Sequence, residues 1–335
     1  MAAYTTIDNP ELYFQTKIYT GDGNDDRDIV FDVTDTTMQP NMLMSARRDS
    51  GDNQSIYDSV RGDGKELRTA ETGADYDRSD NIQALNSNGF QVGTDGQVNA
   101  SGGTYVSWAW KESADAGFDI VGYTGNGSNR TISHSLSAVP KMMIHKSRDN
   151  ASYMWGVYHH TLGNQKNLNL NTDSAANVDS GGVYYNSTTP TSSVFSLGTN
   201  VGYNASSDDY IAYLWSEKQG YSKCGSYVGT GNADGPFCFT GFRPAFVMIK
   251  NGTAAGNWEI FDTKRSTYNL MHATLYADTT GAEYTGTGNQ IDVLSNGFKC
   301  RTNDTNTNDS ADTHIYMAFA EAPFVNSNGV PCNAR

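Results

Sequence analysis

Residues 104–112 read TYVSWAWKE, and the chain repeats this stretch twice more, as DYIAYLWSE at 209–217 and THIYMAFAE at 313–321. In each copy large apolar residues alternate with smaller or more polar ones. Val106, Trp108 and Trp110 share one face of the first copy, Ile211, Tyr213 and Trp215 that of the second, and Ile315, Met317 and Phe319 that of the third. A period of two over this length predicts a strand with a buried face. The starts at 104, 209 and 313 lie 105 and 104 residues apart. The chain therefore reads as three versions of one module, each closing with this strand.

Working outward, the other landmarks keep the same spacing. YTGDG at 19–23, YTGNG at 123–127 and YVGTG at 227–231 open the copies. Glycines at alternate positions after a Tyr predict a strand entering a tight turn. The pair is no phosphate loop, since neither Lys-Ser/Thr nor a helical pattern follows. Pro40, Pro140 and Pro244 then lead apolar strands, the place where a missing N–H does little harm. An Asn-Gly hairpin signal falls at Asn88-Gly89 and Asn296-Gly297. The second copy has VFSLG at 194–198 instead, which predicts a differently shaped loop there. About seven short strands per copy, and no long helical spacing, give an all-β fold of three tandem β-sandwich modules, jelly-roll or lectin-like, of about 104 residues. The boundaries fall at 1–17 for an N-terminal arm, 18–116, 117–221 and 222–325 for the modules, and 326–335 for a tail. Each module is long enough to hold its own core. The short joins at 112–117 and 216–223 predict a rigid row.

The chain of 335 residues carries 23 Lys and Arg against 37 Asp and Glu, a formal charge of −14. The basic residues form no stripe, which argues against nucleic acid as a partner. No apolar run reaches bilayer length, so membrane insertion is not expected, and the N-terminus lacks the pattern of a secretory signal. Cys224, Cys238, Cys300 and Cys332 form no CxxC pair; they read as reduced thiols rather than zinc ligands, with Cys238 and Cys300 in the core.

Several residues invite a chemical reading. Glu112, Glu217 and Glu321 recur at matched positions, but a sugar hydrolase needs two carboxylates facing one bond. They read as strand-end charges, as do Glu259 and Asp262, which the second copy replaces by Gly156 and His159. His159-His160 lacks further ligands at metal spacing. The acidic loops 22–28 and 303–312 do not follow the EF-hand pattern. Arg61-Gly62-Asp63 is a chance match to an adhesion tripeptide. No catalytic, metal or cofactor site is expected. Tyr184, Tyr185 and Tyr203, set among Gly, Asn and Ser, read as rings lying flat over a strand edge or, alternatively, as a sugar- or protein-recognition surface. Tyr4, Ile7, Leu12, Tyr13 and Phe14 of the arm lie outside the repeat and need cover, which either its own first module or a partner or neighbouring copy would supply.

The YTGNG turn, the VPKMMIHKSRD segment at 139–149, the SNGF hairpins and the closing strands together resemble a repeat module of structural proteins from marine bacteriophages. The arm and the closing PFVNSNGVPCNAR are similar to such proteins as well. The resemblance implies a place on the virion as a non-enzymatic tail-fibre or appendage component. Its partners would be other virion proteins and itself, as a homo-oligomer, with a trimer implied by fibre proteins. Receptor binding to a host surface glycan is the alternative. Head decoration and, from another class, polysaccharide depolymerisation follow.

Overall fold

The computed structural model describes residues 3–33 and 35–333. The strands are antiparallel, and one strand order occurs three times. In the first unit Phe14–Thr20, Thr104–Trp110, Met42–Arg47, Ser55–Asp58, Lys65–Arg68 and Tyr76–Asp77 lie side by side in one large sheet. The second sheet runs Phe118–Thr124, Asp209–Trp215, Met142–Ser147, Gly156–His159, Lys166–Asn169, Asn177–Val178, and the third Ser222–Val228, Thr313–Pro323, Phe242–Asn251, Glu259–Asp262, Leu275–Tyr276. A small sheet covers each: Arg27–Val30, Gly89–Val92 and Ile82–Asn86 in the first unit, Arg130–Ser133 with Val194–Leu197 in the second, and Phe237–Phe239, Gly297–Cys300 and Ile291–Leu294 in the third.

The stretch 104–110 is a strand flanked on both sides, by Phe14–Thr20 and Met42–Arg47. Both of its faces are buried. Ala109, with Leu43 and Tyr57 of neighbouring strands, packs on Ile29, Phe90 and Val92 of the small sheet. The Val106, Trp108 and Trp110 face does not point into that sandwich. It meets Ile211, Tyr213 and Trp215 of the second unit and Ile315, Met317 and Phe319 of the third in one continuous core. Trp110 sits edge-on to Trp215 at 6.4 Å and to Phe319 at 5.6 Å. The expectation of a separate core per module, set in a row, is thus corrected: the three large sheets share a centre. Strands buried on both faces read as near-continuous apolar runs, as 210–215 does.

The arm is corrected with it. Residues 14–17 belong to the first unit's opening strand, the counterpart of Phe118–Thr124 in the second, so the boundary after residue 17 cuts a strand. Phe14 stacks on Phe319 at 5.1 Å and Ile7 is buried in the shared core. Tyr13 packs edge-on to Tyr221. The Tyr4 hydroxyl donates to the Gly241 carbonyl at 2.9 Å, and the Thr5 hydroxyl to that of Gln219 at 2.8 Å. Of the five arm residues expected at a partner contact, only Leu12 stays exposed, at 39%. The chain covers its own arm with its third unit.

The opening turns have one construction. A Cβ on Gly21, Gly125 or Gly229 would lie 2.2, 2.1 or 2.0 Å from a carbonyl oxygen, so only glycine fits. Each turn is bridged by a buried Asn. Asn99, Asn204 and Asn308 accept from the backbone N–H of Asp22, Asn126 and Thr230 and donate to two carbonyls apiece.

Candidate functional site

The functional geometry that the fold creates lies along the three seams between units. Positions 54, 155 and 258 each stand one residue before a matched strand. The Trp155 indole N–H donates to the Arg68 carbonyl at 3.0 Å, that of Trp258 to the Asn169 carbonyl at 3.0 Å, and the Gln54 amide to the Tyr276 carbonyl at 2.7 Å. Backbone bonds repeat the pattern: Asp75 N–H to Arg148 O, Ala176 to Gly252 and Glu283 to Arg48, at 2.8, 3.2 and 2.9 Å. Unit two therefore grips unit one, three grips two, and one grips three. Head-to-tail contacts that close after three steps make a ring.

Two seams carry an Arg–carboxylate–Arg set. Between units one and two, Asp75 accepts from Arg61 and Arg148, both at 2.9 Å, and Arg61 also pairs with Asp58. Tyr213 donates to Asp58 at 2.7 Å. Between units three and one, Glu283 accepts from Arg265 at 3.1 Å and Arg48 at 2.8 Å, Arg265 pairs with Asp262, and Trp108 donates to Asp262 at 3.0 Å. The seam between units two and three has Leu162, Ala176 and Gly252 at the positions of the Arg–carboxylate–Arg set. His159 stands in place of Asp58 and Asp262, and Met317 in place of Tyr213 and Trp108. Buried lysines cross two seams. Lys146 donates to Thr72 O and Lys250 to Asp173 O, each at 3.0 Å, where the first unit has Ala46. Burial pushes both lysines down to about 8.

The residues singled out from sequence fall as follows. His159 is buried, bonded to Thr161 and to the Tyr316 carbonyl, and burial pulls it down to about 3. His160 bonds the Cys224 carbonyl at 2.9 Å. The His pair joins units two and three, and among the described residues no group of three or more His, Cys, Asp or Glu could hold a metal. Glu217 accepts from Cys224 N–H and Glu321 pairs with Arg243, so the three matched glutamates stay on separate units. Glu112 has a neighbour that sequence reading missed. Half-burial and a hydrogen bond to Asp119 push it up to about 7. Arg61 of the Arg-Gly-Asp stretch is buried in its seam and unavailable for adhesion. The four cysteines are unpaired thiols, with Cys224, Cys238 and Cys300 buried.

Tyr185 and Tyr203 are buried, not displayed. Both hydroxyls donate to Asn167 inside the second sandwich. Tyr203 takes space that Gly156 leaves open: a Cβ there would lie 1.6 Å from its hydroxyl. Tyr184 is half-buried and lines a groove of about 610 Å³ with Tyr153, Met154, Asn169 and Asn200. The seam residues escaped sequence reading although a signal was present: Asp-x-x-Arg at 58–61 and 262–265, against His-x-x-Leu at 159–162.

A family model described as a domain of unknown function, DUF7483, matches residues 9–323. No curated protein and no solved structure matches the chain. With the match running through all three units and their shared core, the chain belongs to the DUF7483 family.

Proposed function

We propose that this member of the family is a non-enzymatic structural component of a bacteriophage particle, a tail-fibre or appendage protein that works through contacts with other virion proteins. The observation that carries the reading is the way the chain spends its chemistry. Its Arg–carboxylate sets reach across two seams, from Arg148 to Asp75 and from Arg48 to Glu283, and its His pair and the indole N–H groups of Trp108, Trp155 and Trp258 tie one unit to the next. A ring of three sheets around one core supplies within a single chain the threefold arrangement that fibre proteins reach by trimerisation. The arm is covered by the chain itself and no longer argues for an oligomer.

The test is to band particles from a culture infected with the encoding phage and measure this chain in them by mass spectrometry and antibody-gold labelling. Peptides in the particle band at a fixed ratio to the other virion proteins, with label at one place on the particle, are expected. A chain abundant in the lysate yet absent from washed particles would refute the proposal.

A further inference from the structure

The second unit departs from its siblings at one place, and the departure makes a groove. The first strand of the small-sheet hairpin, present as Ile82–Asn86 and Ile291–Leu294, has no counterpart there. A loop replaces it, held by the buried Asp179 carboxylate, which accepts from the N–H groups of Gly181, Val183 and Tyr184 at 2.9–3.2 Å. The loop presses so closely on Gly198 that a Cβ there would lie 2.3 Å from the Gly182 carbonyl oxygen. Tyr184 is thus held on a built wall. On the one-turn helix Val201–Asn204, Gly202 takes the place of Gln97 and Asn306. Those side chains fill the corresponding space in the other units, where Gln97 donates to Glu66 and Asn306 to Glu259. Glycine leaves it open.

The groove is also stripped of charge. In strand register Asn169 replaces Arg68 and Val178 replaces Asp77, and Tyr153 falls where the first unit has Asp52. No charged residue lines the groove, in a chain whose formal charge is −14. Its lining pairs tyrosine rings and the exposed side chains of Met154, Val178 and Val201 with the amides of Asn169, Asn177 and Asn200.

We propose that this groove of the second unit binds a neutral oligosaccharide, with sugar C–H faces on Tyr153 and Tyr184 and hydroxyls on the asparagine amides. Aromatic rings beside amides suit a ligand that is apolar on one face and hydroxylated at its edge. A charged ligand would find no counter-charge, and an anionic one would be repelled by the chain as a whole. The site needs no particular place on a particle, so it stands or falls independently of the structural role.

Saturation-transfer NMR on the full chain tests it, with neutral hexasaccharides of glucose, mannose, galactose and xylose as probes and hexagalacturonate as the charged control. Transfer is expected from at least one neutral hexamer and not from the uronate. Tyr184→Ala and Val178→Asp should each weaken that binding tenfold or more. Val178 is 72% exposed, so its replacement leaves the fold intact while restoring the first unit's charge. Silence from every neutral hexamer overturns the proposal. So does binding that survives Val178→Asp unchanged, or preference for the uronate.

Discussion

Two seams of the ring carry an Arg–carboxylate–Arg set and the third has apolar residues at those three positions, though all three use the same strands. Where units one and two bury Arg61, Asp75 and Arg148, and units three and one bury Arg265, Glu283 and Arg48, units two and three bury Leu162, Ala176 and Gly252. The exchange is complete in each case, and no seam holds a partial set. Physical chemistry accounts for this. Removing one member of a buried ion network strands the charges that remain, whereas replacing the whole set with apolar groups is often neutral. The backbone bonds and the reach from positions 155 and 258 persist in both kinds of seam. The scaffold of the contact is therefore separable from its charge.

The comparison is broken hardest at Arg61. Arg61→Ala leaves Asp58 and Asp75 buried without their shared partner and should cost about 3–5 kcal/mol in urea unfolding. A loss below about 1 kcal/mol would mean that the network is not a unit.

The lysines come next. In the unfolded chain a lysine holds its proton to about 10.4, but Lys146 and Lys250 hold theirs only to about 8. Between pH 8 and 10 the unfolded state binds more protons, so the stability contributed by these sites rises with pH, by on the order of 2–3 kcal/mol each. Lys146→Met and Lys250→Met, which bring their seams closer to the one with Ala46, should flatten that rise. A wild-type stability that falls with pH over the same window would contradict the assignment.

Smaller effects test the common scaffold. Trp155→Phe in a seam with the Arg–carboxylate–Arg set and Trp258→Phe in the one without it each remove an indole N–H from a carbonyl and should cost about 1–3 kcal/mol. The two losses should be similar; a large difference would show that the scaffold is not shared. The smallest effect is expected from the largest change. Asp58→His, Arg61→Leu, Asp75→Ala and Arg148→Gly together give the first interface the counterparts of its charged residues from the seam between units two and three. The fourfold variant should lose about 1 kcal/mol or less, far below Arg61→Ala alone. Additive losses would show that the two kinds of seam are not interchangeable.

Much of this fold can be read from the letters. The alternation at 104–110 places a buried strand, and the missing Asn-Gly in the second copy marks the one small sheet that loses a strand. What covers a buried face is not encoded in its period. Trp108 and Trp110 were bound to face something apolar, but a period of two cannot distinguish a sandwich interior from a neighbouring unit. The arm hid in the same way. Phe14, Tyr19 and Thr20 match Phe118, Tyr123 and Thr124, yet the third copy has Ser222 in place of the Phe, which obscured the strand. Tyr185 and Tyr203 looked exposed because their sequence neighbours are polar. The Tyr203 ring turns inward over Gly156, which leaves a hole that no local pattern reveals. Beyond the two Asp-x-x-Arg pairs, the seam charges were legible only as scattered ions, since Asp75 and Glu283 lie 14 to 235 residues from the arginines they accept from.

Ring closure changes where such a molecule can fray. A linear array of repeats loosens from its terminal units, which need capping because each has an uncovered side. Here each unit has a neighbour on both sides, and none is terminal. Two seams are backed by a short covalent join, while the seam between units three and one is held by contact alone. The arm lies across it as a latch, with Tyr4 edge-on to Phe324 and Asp8 accepting from Ser327 N–H. Residues 4–14 thus guard the one seam that no short join backs.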